Sequence, residues 1–341
     1  MKDPFSQNEV RIAVIGGGTG SFTILSALKE HTSQIAAIVN MVDDGGSTGV
    51  LRDELGTLPS GDVRQCLVAL SDSPKVRDLF NYRFDKGTFG GHSFGNLLLT
   101  ALEKVTGDFT EAIEQASEIL RVNGTVIPAT LDNVRLKMEW KETSLVLRGE
   151  RVIDEEYFRQ DPRKARLSVT PKPKPNPTAL RAIEQADIVV IAPGDLYTSL
   201  GPLLVIDGIG EALRQSKALK VYVANLVSKH GQTDGFTVSD HAAEVERFAG
   251  VPFLDVVLYN DGVPNKRVEA RYKAEGGRLT PVDSSNLQKA HYGVIGGNFL
   301  GSIAVENKGD ALIGKRSLIR HNQQAVAKAI LKLYEDRQRA R

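Results

Sequence analysis

The chain opens with an apolar segment that runs directly into glycine. Residues 10–15, VRIAVI, have the composition of a strand buried on both faces of a parallel sheet, and GGGTG follows at 16–20. Residues 22–30, FTILSALKE, then place apolar side chains at helical spacing. A strand, a glycine turn and a helix in this order predict an α/β fold with a parallel sheet.

The glycine run also predicts a binding site for phosphate. The unsatisfied N–H groups and the dipole of a helix N-terminus favour an anion, and glycine lets that anion approach the backbone. We therefore predict that Gly17, Gly18, Thr19 and Gly20 contact ligand phosphates. The alternative is a tight turn that only packs the helix on the strand. Neither common nucleotide motif is present, because Ser21 breaks GxGxxG and no lysine lies between the glycine run and Lys29.

Composition excludes several classes of protein. Lys and Arg number 43 against 42 Asp and Glu, so nothing favours general nucleic-acid binding. No apolar run reaches the length of a membrane span, and the N-terminus lacks the apolar core of a signal peptide. The single cysteine, Cys66, excludes an intrachain disulfide, and its context VRQCLVAL predicts a buried helix position. These features predict a cytoplasmic protein.

Strand and helix patterns alternate over most of the chain. The exception is 124–170, where short β-type segments carry interleaved Arg and Lys, and PKPKPNP at 171–177 reads as an extended connector. Residues 199–216 predict one long helix. The expected fold is α/β, a doubly wound, mostly parallel Rossmann-like sheet formed by 1–123 and 171–341, with 124–170 as a small β-rich insertion.

Ligands of such folds bind at the carboxyl ends of the strands. After the second predicted strand come Asn40, Asp43 and Asp44, at the position where a Rossmann-type protein binds ribose or a metal. The two adjacent carboxylates would repel a phosphate unless a cation such as Mg²⁺ lay between them. The alternative is a solvated turn with local side-chain caps. Arg52 and Arg64 are either phosphate partners or surface charges.

Further polar groups follow other predicted strands and loops. GGHSFGN at 90–96 suggests His92 as a general base or phosphate ligand. Ser93, a plausible helix cap, and Asn96, one turn later, are predicted to contact the ligand in the same pocket. In the second half, the candidate ligand contacts are Asp195, Tyr197, Thr198, Asn225 and Lys229. Several such loops predict one large polar ligand with phosphates, namely a nucleotide or a nucleotide-sugar.

These segments together resemble the YvcK/CofD-like family: GGGTG, NMVDDGGSTG, GGHSFGNLLL and ADIVVIAPGDLYTSLGPLL. The resemblance covers nearly the whole chain. Within the family the chain is most similar to the gluconeogenesis-factor branch, which implies binding of UDP-sugars, notably UDP-N-acetylglucosamine. It also implies a role in cell shape and cell-wall synthesis during growth on gluconeogenic carbon sources.

The other branch transfers a phospholactyl group from a guanosine diphosphate donor to a deazaflavin and depends on Mg²⁺. By this resemblance, Asp43 and Asp44 would bind the metal, Gly17–Gly20 would lie along the phosphates, and Asn225 with 193–199 would frame the nucleoside. The chain departs from that branch at Pro193-Gly194-Asp195, where the transferase has Ser-Asn-Pro.

Two functions follow as hypotheses. The first is a nucleotide-sugar-binding regulator, which would need a protein partner and which we expect to be a homo-oligomer. The second is a Mg²⁺-dependent transferase with Asp44 and His92 as catalytic residues. A third hypothesis, an NAD(P)-dependent oxidoreductase, conflicts with the broken GxGxxG pattern.

Overall fold

The computed structural model describes residues 9–264, 266, 269–270, 278–303 and 319–340, so the N-terminal residues considered above as a signal peptide lie largely outside the described part. The strands of this part are β1 (Ile12–Gly16), β2 (Ile35–Val39), β3 (Thr125–Pro128), β4 (Arg135–Trp140), β5 (Leu145–Arg148), β6 (Arg166–Thr170), β7 (Ile188–Ile191), β8 (Leu219–Val223), β9 (Val256–Asn260), β10 (Gly293–Gly297), β11 (Leu300–Ile303) and β12 (Ile319–His321).

The helices connect these strands. They are α1 (Gly18–Leu28), α2 (Gly46–Leu55), α3 (Gly61–Leu70), α4 (Pro74–Asn81), α5 (Phe94–Thr106), α6 (Phe109–Leu120), α7 (Glu150–Glu155), α8 (Pro177–Gln185), α9 (Gly201–Leu204), α10 (Ile209–Gln215), α11 (Val238–Ala249), α12 (Ser284–Leu287) and α13 (Gln323–Arg339). A short 3₁₀ turn covers Pro162–Lys164 and a π turn covers Leu196–Leu200.

The central sheet confirms the predicted α/β fold class. Its order is β10-β9-β8-β7-β1-β2-β3, and all neighbouring strands run parallel. Strand β1 is buried on both faces: Ala13 and Ile15 belong to one core, whereas Ile12 and Val14 belong to the other. This two-sided burial explains the uninterrupted apolar pattern of the strand.

One core lies between the sheet and α1, α3, α5, α6 and α13, and Cys66 of α3 is buried within it as predicted. The other core lies between the sheet, α8 to α11 and the second, antiparallel sheet. That second sheet has the order β5-β4-β6, and β4 turns Leu136, Met138 and Trp140 towards the core. The alternation of β4 is thus the signature of a strand with one buried face.

The β-rich range is divided between two sheets. Strand β3 falls inside 124–170, yet it pairs with β2 at the edge of the central sheet. The antiparallel sheet begins only at Arg135. The parallel pairing of β3 could not be recognised from its sequence, because four residues carry no signal of strand direction.

The predicted long helix at 199–216 is wrong. The chain forms the π turn, then α9, and restarts as α10 after a turn at Val205–Gly208. Gly208 has a φ of +91°, a backbone conformation that interrupts an α-helix and that glycine adopts without strain. The Asp207-Gly208 dipeptide is the local signal for this break.

Candidate functional site

The strand order reverses between β1 and β7, which is where doubly wound sheets bind ligands. Direct contacts join the loops at this edge. Asn40, after β2, donates from Nδ2 to the carbonyl oxygen of Thr198, after β7, at 3.1 Å. Lys229, after β8, donates from Nζ to Asp195 Oδ2 at 3.1 Å. The predicted strand-end residues therefore converge on one region.

The glycine loop packs closely against Pro193 and Asp62. A Cβ added to Gly20 would overlap the carbonyl oxygen of Pro193. A Cβ on Gly18 would lie 2.7 Å from Asp62 Oδ1. At Gly20 the overlap is with backbone, so glycine is required there for protein packing, whatever the ligand, and the tight-turn interpretation accounts for that part of the motif.

The same loop nevertheless forms a helix N-terminus at the switch point. Helix α1 begins at Gly18, so its first amides have no acceptor in a preceding turn. Ser21, 1% exposed, carries a hydroxyl with no hydrogen-bond partner among the described residues. That hydroxyl lies 2.7 Å from the position of an added Cβ on Gly16. The loop therefore keeps hydrogen-bonding capacity that the described chain does not use.

Asp44 has a structural task. Its carboxylate accepts from the amides of Glu150 at 3.2 Å and Arg151 at 2.8 Å, which begin α7. It also pairs with Arg135 Nη1 at 3.3 Å. Asp44 therefore caps α7 and fastens the antiparallel sheet to the central one. Its assignment as a catalytic residue and metal ligand stays a prediction, and a metal ion would compete with these partners for the carboxylate.

The Asp43 carboxylate makes different contacts from that of Asp44. Its Oδ1 accepts from the amide of Gly45 at 3.0 Å, a local turn contact. A Cβ built on Gly45 would lie 3.5 Å from Asp43 Oδ1 and 3.7 Å from Glu150 Oε2, so the two carboxylates approach the same point. Two carboxylates suit Mg²⁺ when ligand phosphates and water complete the shell. The described residues contain no group of three or more His, Cys, Asp or Glu arranged to hold a metal ion.

Glu150 is a site residue that the sequence analysis did not identify. Burial, and then the charges of Asp43, Asp154, Asp44 and Asp62, raise its pKa to about 10. The site is thus rich in carboxylates, and Glu150 holds a proton at neutral pH in the absence of a cation. Its place in a β-rich segment more than a hundred residues from Asp44 gave no sequence signal for this position.

Lys229 places a positive charge beside the loop after β7. It bonds Asp154 as well as Asp195, and its side chain is 24% exposed. Burial lowers its pKa, but Asp195 and Asp154 oppose this effect and the net pKa is raised. Thr198, 2% exposed, donates to Asp154 Oδ1 at 3.3 Å. Asp154 of α7, which was also missed, thereby links the two predicted residues.

His92 and Asn96 lie in a separate polar network at the start of α2. Ser47 Oγ lies 3.0 Å from His92 Nδ1, and Asn96 Nδ2 donates to Ser47 Oγ at 3.3 Å. Arg64 Nε donates to Asn96 Oδ1 at 2.9 Å. Ser93 caps α5, as predicted, by accepting from the Asn96 amide at 3.3 Å.

The arginines considered as phosphate partners are both buried. Arg52, 2% exposed, donates to the carbonyl oxygens of Val42 and Asp43 at 3.3 and 3.2 Å. Arg64 is 8% exposed and also donates to Asn81 Oδ1 at 2.7 Å. Arg52 thus holds the acidic loop in shape. Neither residue is the surface charge that the alternative expected.

Asn225 and Tyr197 also make internal contacts. Asn225 accepts from the Gly194 amide at 3.1 Å and donates to the Gly194 carbonyl at 2.8 Å, which fixes the loop after β7. Tyr197 is fully buried and donates to Glu244 Oε2 at 2.9 Å. The structure therefore places the Tyr197 side chain in the core of the second face and away from the strand-end loops.

A groove of about 530 Å³ lies away from these loops, between the antiparallel sheet and α11. Its basic lining includes Arg163 and Arg247, which pair with Asp161, Asp240 and Glu244. The converging strand-end loops, rather than the size of this groove, mark the candidate site.

Comparison with known proteins agrees with this geometry. The family described as 2-phospho-L-lactate transferase CofD matches residues 12–300. The chain belongs to the CofD family. Its relatives include the gluconeogenesis factor of Bacillus subtilis, 37% identical over 96% of this chain and 98% of that protein. The gluconeogenesis factor of Halalkalibacterium halodurans is 39% identical over 94% of this chain and 95% of that protein.

A solved structure confirms the fold. The crystal structure of a UPF0052 family member from Bacillus halodurans superposes with a TM-score of 0.83 at 38% identity. The superposition covers 94% of this chain and 99% of the chain in that structure. In the described part of the chain, no helix is long and apolar enough to cross a membrane.

Proposed function

We propose that this protein binds a nucleotide-sugar of the UDP-N-acetylglucosamine type and acts as a regulatory factor in gluconeogenic growth and cell-wall synthesis. The observation that carries the proposal is the N-terminus of α1, which lies at the switch point between β1 and β7 and has a buried Ser21 hydroxyl that bonds to no described residue. The gluconeogenesis-factor names of its relatives support the regulatory part.

The acidity of the site bears on how phosphates would bind. Asp62 lies against the glycine loop, and Asp43 and Glu150 approach one another beside Gly45. A diphosphate at this edge would meet several negative charges, so we propose that Mg²⁺ accompanies it, with Asp43 and Glu150 as protein ligands. Bound Mg²⁺ would supply charge neutralisation, and Lys229 would add a fixed positive charge.

A second candidate function is a Mg²⁺-dependent transferase of a phospholactyl-type group. The contact between Ser47 Oγ and His92 Nδ1, 3.0 Å, favours it because a hydroxyl beside an imidazole can exchange a proton with it. The description of the matching family as a transferase points the same way.

Calorimetric titration separates the two functions. Wild type and Asp43→Asn are titrated with UDP-N-acetylglucosamine, GDP and NAD, with and without Mg²⁺. Separate mixtures that contain a guanosine diphosphate-linked phospholactyl donor and a deazaflavin acceptor are analysed for transfer of the phospholactyl group. Selective UDP-sugar binding without transfer supports the regulator. Preference for GDP, with a transfer reaction that Asp43→Asn abolishes, supports the transferase. Binding of no nucleotide under any condition overturns both.

A further inference from the structure

The groove between the antiparallel sheet and α11 is a second surface with the features of a binding site. Its volume of about 530 Å³ is typical of ligand sites. The end of β4, the 3₁₀ turn, the start of β6, Val205 after α9 and the end of α11 line it. These segments are not the loops at the carboxyl ends of the central strands, so the groove is separate from the proposed nucleotide site.

The apolar part of the lining is fixed in place. Trp140 is buried, its Nε1 donates to the Asp161 carbonyl oxygen at 2.9 Å, and its ring packs on Phe158 with centroids 5.5 Å apart. Phe248 is also buried and packs against Tyr197 with centroids 5.7 Å apart. Because these contacts hold both rings, little entropy is lost in ordering the groove when a partner binds.

Two of the lining cations are already neutralised. Arg247 donates from Nε and Nη2 to the two carboxylate oxygens of Glu244, each at 2.7 Å. Arg163 pairs with Asp161 at 2.9 Å and with Asp240 at 3.2 Å. These arginines therefore shape the groove and add little net charge to it.

Two other lining cations are held only weakly. The Lys164 side chain is 61% exposed, and its partner Glu142, at 3.5 Å, is exposed as well. The Arg166 side chain is 68% exposed and lies 4.0 Å from Glu139, which also pairs with Lys137. Exposed ion pairs of this kind contribute little, so both cations can exchange their partners for an incoming carboxylate.

The rim of the groove therefore has an excess of positive charge. With the exposed Lys141, it has three cations that face water, from β4, the 3₁₀ turn and β6. Glu142 is the one carboxylate among the described residues that line the groove. A ligand that complements this rim has several separated negative charges.

The topology of the sheet favours an extended chain as that ligand. Strand β6 is at the edge of the order β5-β4-β6, so no described strand pairs with the side of its backbone that faces away from β4. Exposed strand edges accept extended peptides through main-chain hydrogen bonds. Arg247 Nη1 already donates to the Ala165 carbonyl oxygen at 2.9 Å, so such pairing would begin at Arg166.

We infer that this groove binds an extended acidic segment of a partner protein, with carboxylates of the segment at the three rim cations and an apolar side chain on Trp140 and Phe248. The inference goes beyond the proposed function, since it assigns a surface for a partner and does not require that a nucleotide bind at the switch point.

The composition of the chain makes the groove directly observable. Trp140 lines the groove and is the single tryptophan of the sequence, so its fluorescence reports on the groove alone. The probe is the end-blocked peptide EDELEDE, which has carboxylates on both sides of a leucine and no aromatic side chain. The matched control peptide is QNQLQNQ, in which amides replace the carboxylates. Affinities are measured by fluorescence and calorimetry on the full chain without nucleotide.

Three variants locate the binding. Lys164→Glu reverses a rim charge and Arg166→Gln removes one, and both side chains are exposed, so the fold should tolerate the changes. The control Arg148→Glu reverses an exposed charge on β5, the opposite edge strand of the same sheet, which does not line the groove.

We expect wild type to bind EDELEDE with a change in Trp140 fluorescence and to bind QNQLQNQ at least about tenfold more weakly, since several ion pairs are then lost. Arg166→Gln should weaken EDELEDE binding about two- to fivefold, and Lys164→Glu about four- to twentyfold because repulsion replaces attraction. Arg148→Glu should match wild type. Binding should weaken as salt rises above about 0.1 M.

Four results would overturn the inference. One is a wild type that does not bind EDELEDE, or binds QNQLQNQ equally well. Another is equal affinity in wild type, Lys164→Glu and Arg166→Gln, which would place the peptide elsewhere. A third is an equal loss in Arg148→Glu, which would mean that only overall charge matters. The last is inorganic phosphate changing Trp140 fluorescence at lower concentration than EDELEDE, which would identify a site for a small anion. Nucleotide titrations are separate, so failure of nucleotide binding would leave this result standing.

Discussion

Substitution of Asp44 tests whether this residue stabilises the fold or binds a metal, because the two roles predict different effects on Tm and on nucleotide binding. Asp44→Ala removes an acceptor from the amides of Glu150 and Arg151 and a partner from Arg135. Loss of a helix cap costs about 1 kcal/mol. Loss of negative charge at a helix N-terminus adds roughly 0.3–1 kcal/mol. The ion pair adds less than about 1 kcal/mol, because Arg135 is 38% exposed.

The sum is about 1.3–3 kcal/mol in the free energy of unfolding. At roughly 2 °C per kcal/mol for a large domain, Tm should fall by about 3–6 °C in a thermal melt without Mg²⁺ or nucleotide. Asp44→Asn should lower Tm about 2 °C less than Asp44→Ala does, since asparagine keeps the helix cap and loses only the contributions of the charge. The matched control is Asp53→Ala, which removes the other carboxylate on Arg135; Asp53 is 66% exposed, so Tm should move by about 1 °C or less.

The opposite pattern would refute this reasoning. If Asp44→Ala melts like wild type, the cap does not hold α7. If Asp44→Asn also abolishes Mg²⁺-dependent nucleotide binding at unchanged stability, Asp44 serves the ligand, as its sequence position suggests.

Three further changes have defined outcomes. Gly20→Ala should destabilise the fold by at least about 1–3 kcal/mol in urea unfolding, because the added Cβ overlaps the Pro193 carbonyl oxygen. The control Gly194→Ala should cost less than about 1 kcal/mol, because its added Cβ lies 3.4 Å from the nearest neighbour. Equal costs for the two variants would contradict the packing account. Tyr197→Phe should cost about 1.5–3 kcal/mol by removing the hydrogen bond to Glu244, with nucleotide affinity unchanged in calorimetry; a loss of affinity would return Tyr197 to the ligand site. Burial and neighbouring carboxylates raise the pKa of Glu150 from 4.5 to about 10, so the Mg²⁺-free folded state binds one proton more than the unfolded state between these values, and stability falls as pH rises through this window. Glu150→Gln should flatten that decline in melts from about pH 6 to about pH 9, and an unchanged slope would place its origin elsewhere.

The sequence predicted most of the central sheet because buried parallel strands have a strong local pattern. Strands β1, β2 and β7 are continuous apolar runs, and β8 is apolar apart from Lys220. Polar loops follow these strands, and the switch-point rule then places those loops together. Strand β10 was not predicted, since GVIGG carries three glycines and little β-type signal.

The site was predicted less completely, for a different reason. Sequence patterns identify residues that leave strands, such as Asn40 and Asp195, but not the partners of their side chains. The buried partner of Tyr197 and the helix capped by Asp44 are tertiary contacts across 47 and 106 residues. Glu150 and Asp154 come from the β-rich segment, where no rule of strand ends applies.

The contact between Asp44 and α7 has a thermodynamic consequence. Helix α7 brings Glu150 and Asp154 to the central sheet, so the site has its full set of charges only while that helix is docked. Any ligand that uses those carboxylates must favour the docked state, and by reciprocity docking must strengthen binding by the same factor. Amide exchange at Glu150 and Arg151 would therefore slow on ligand binding, although neither amide would need to touch the ligand.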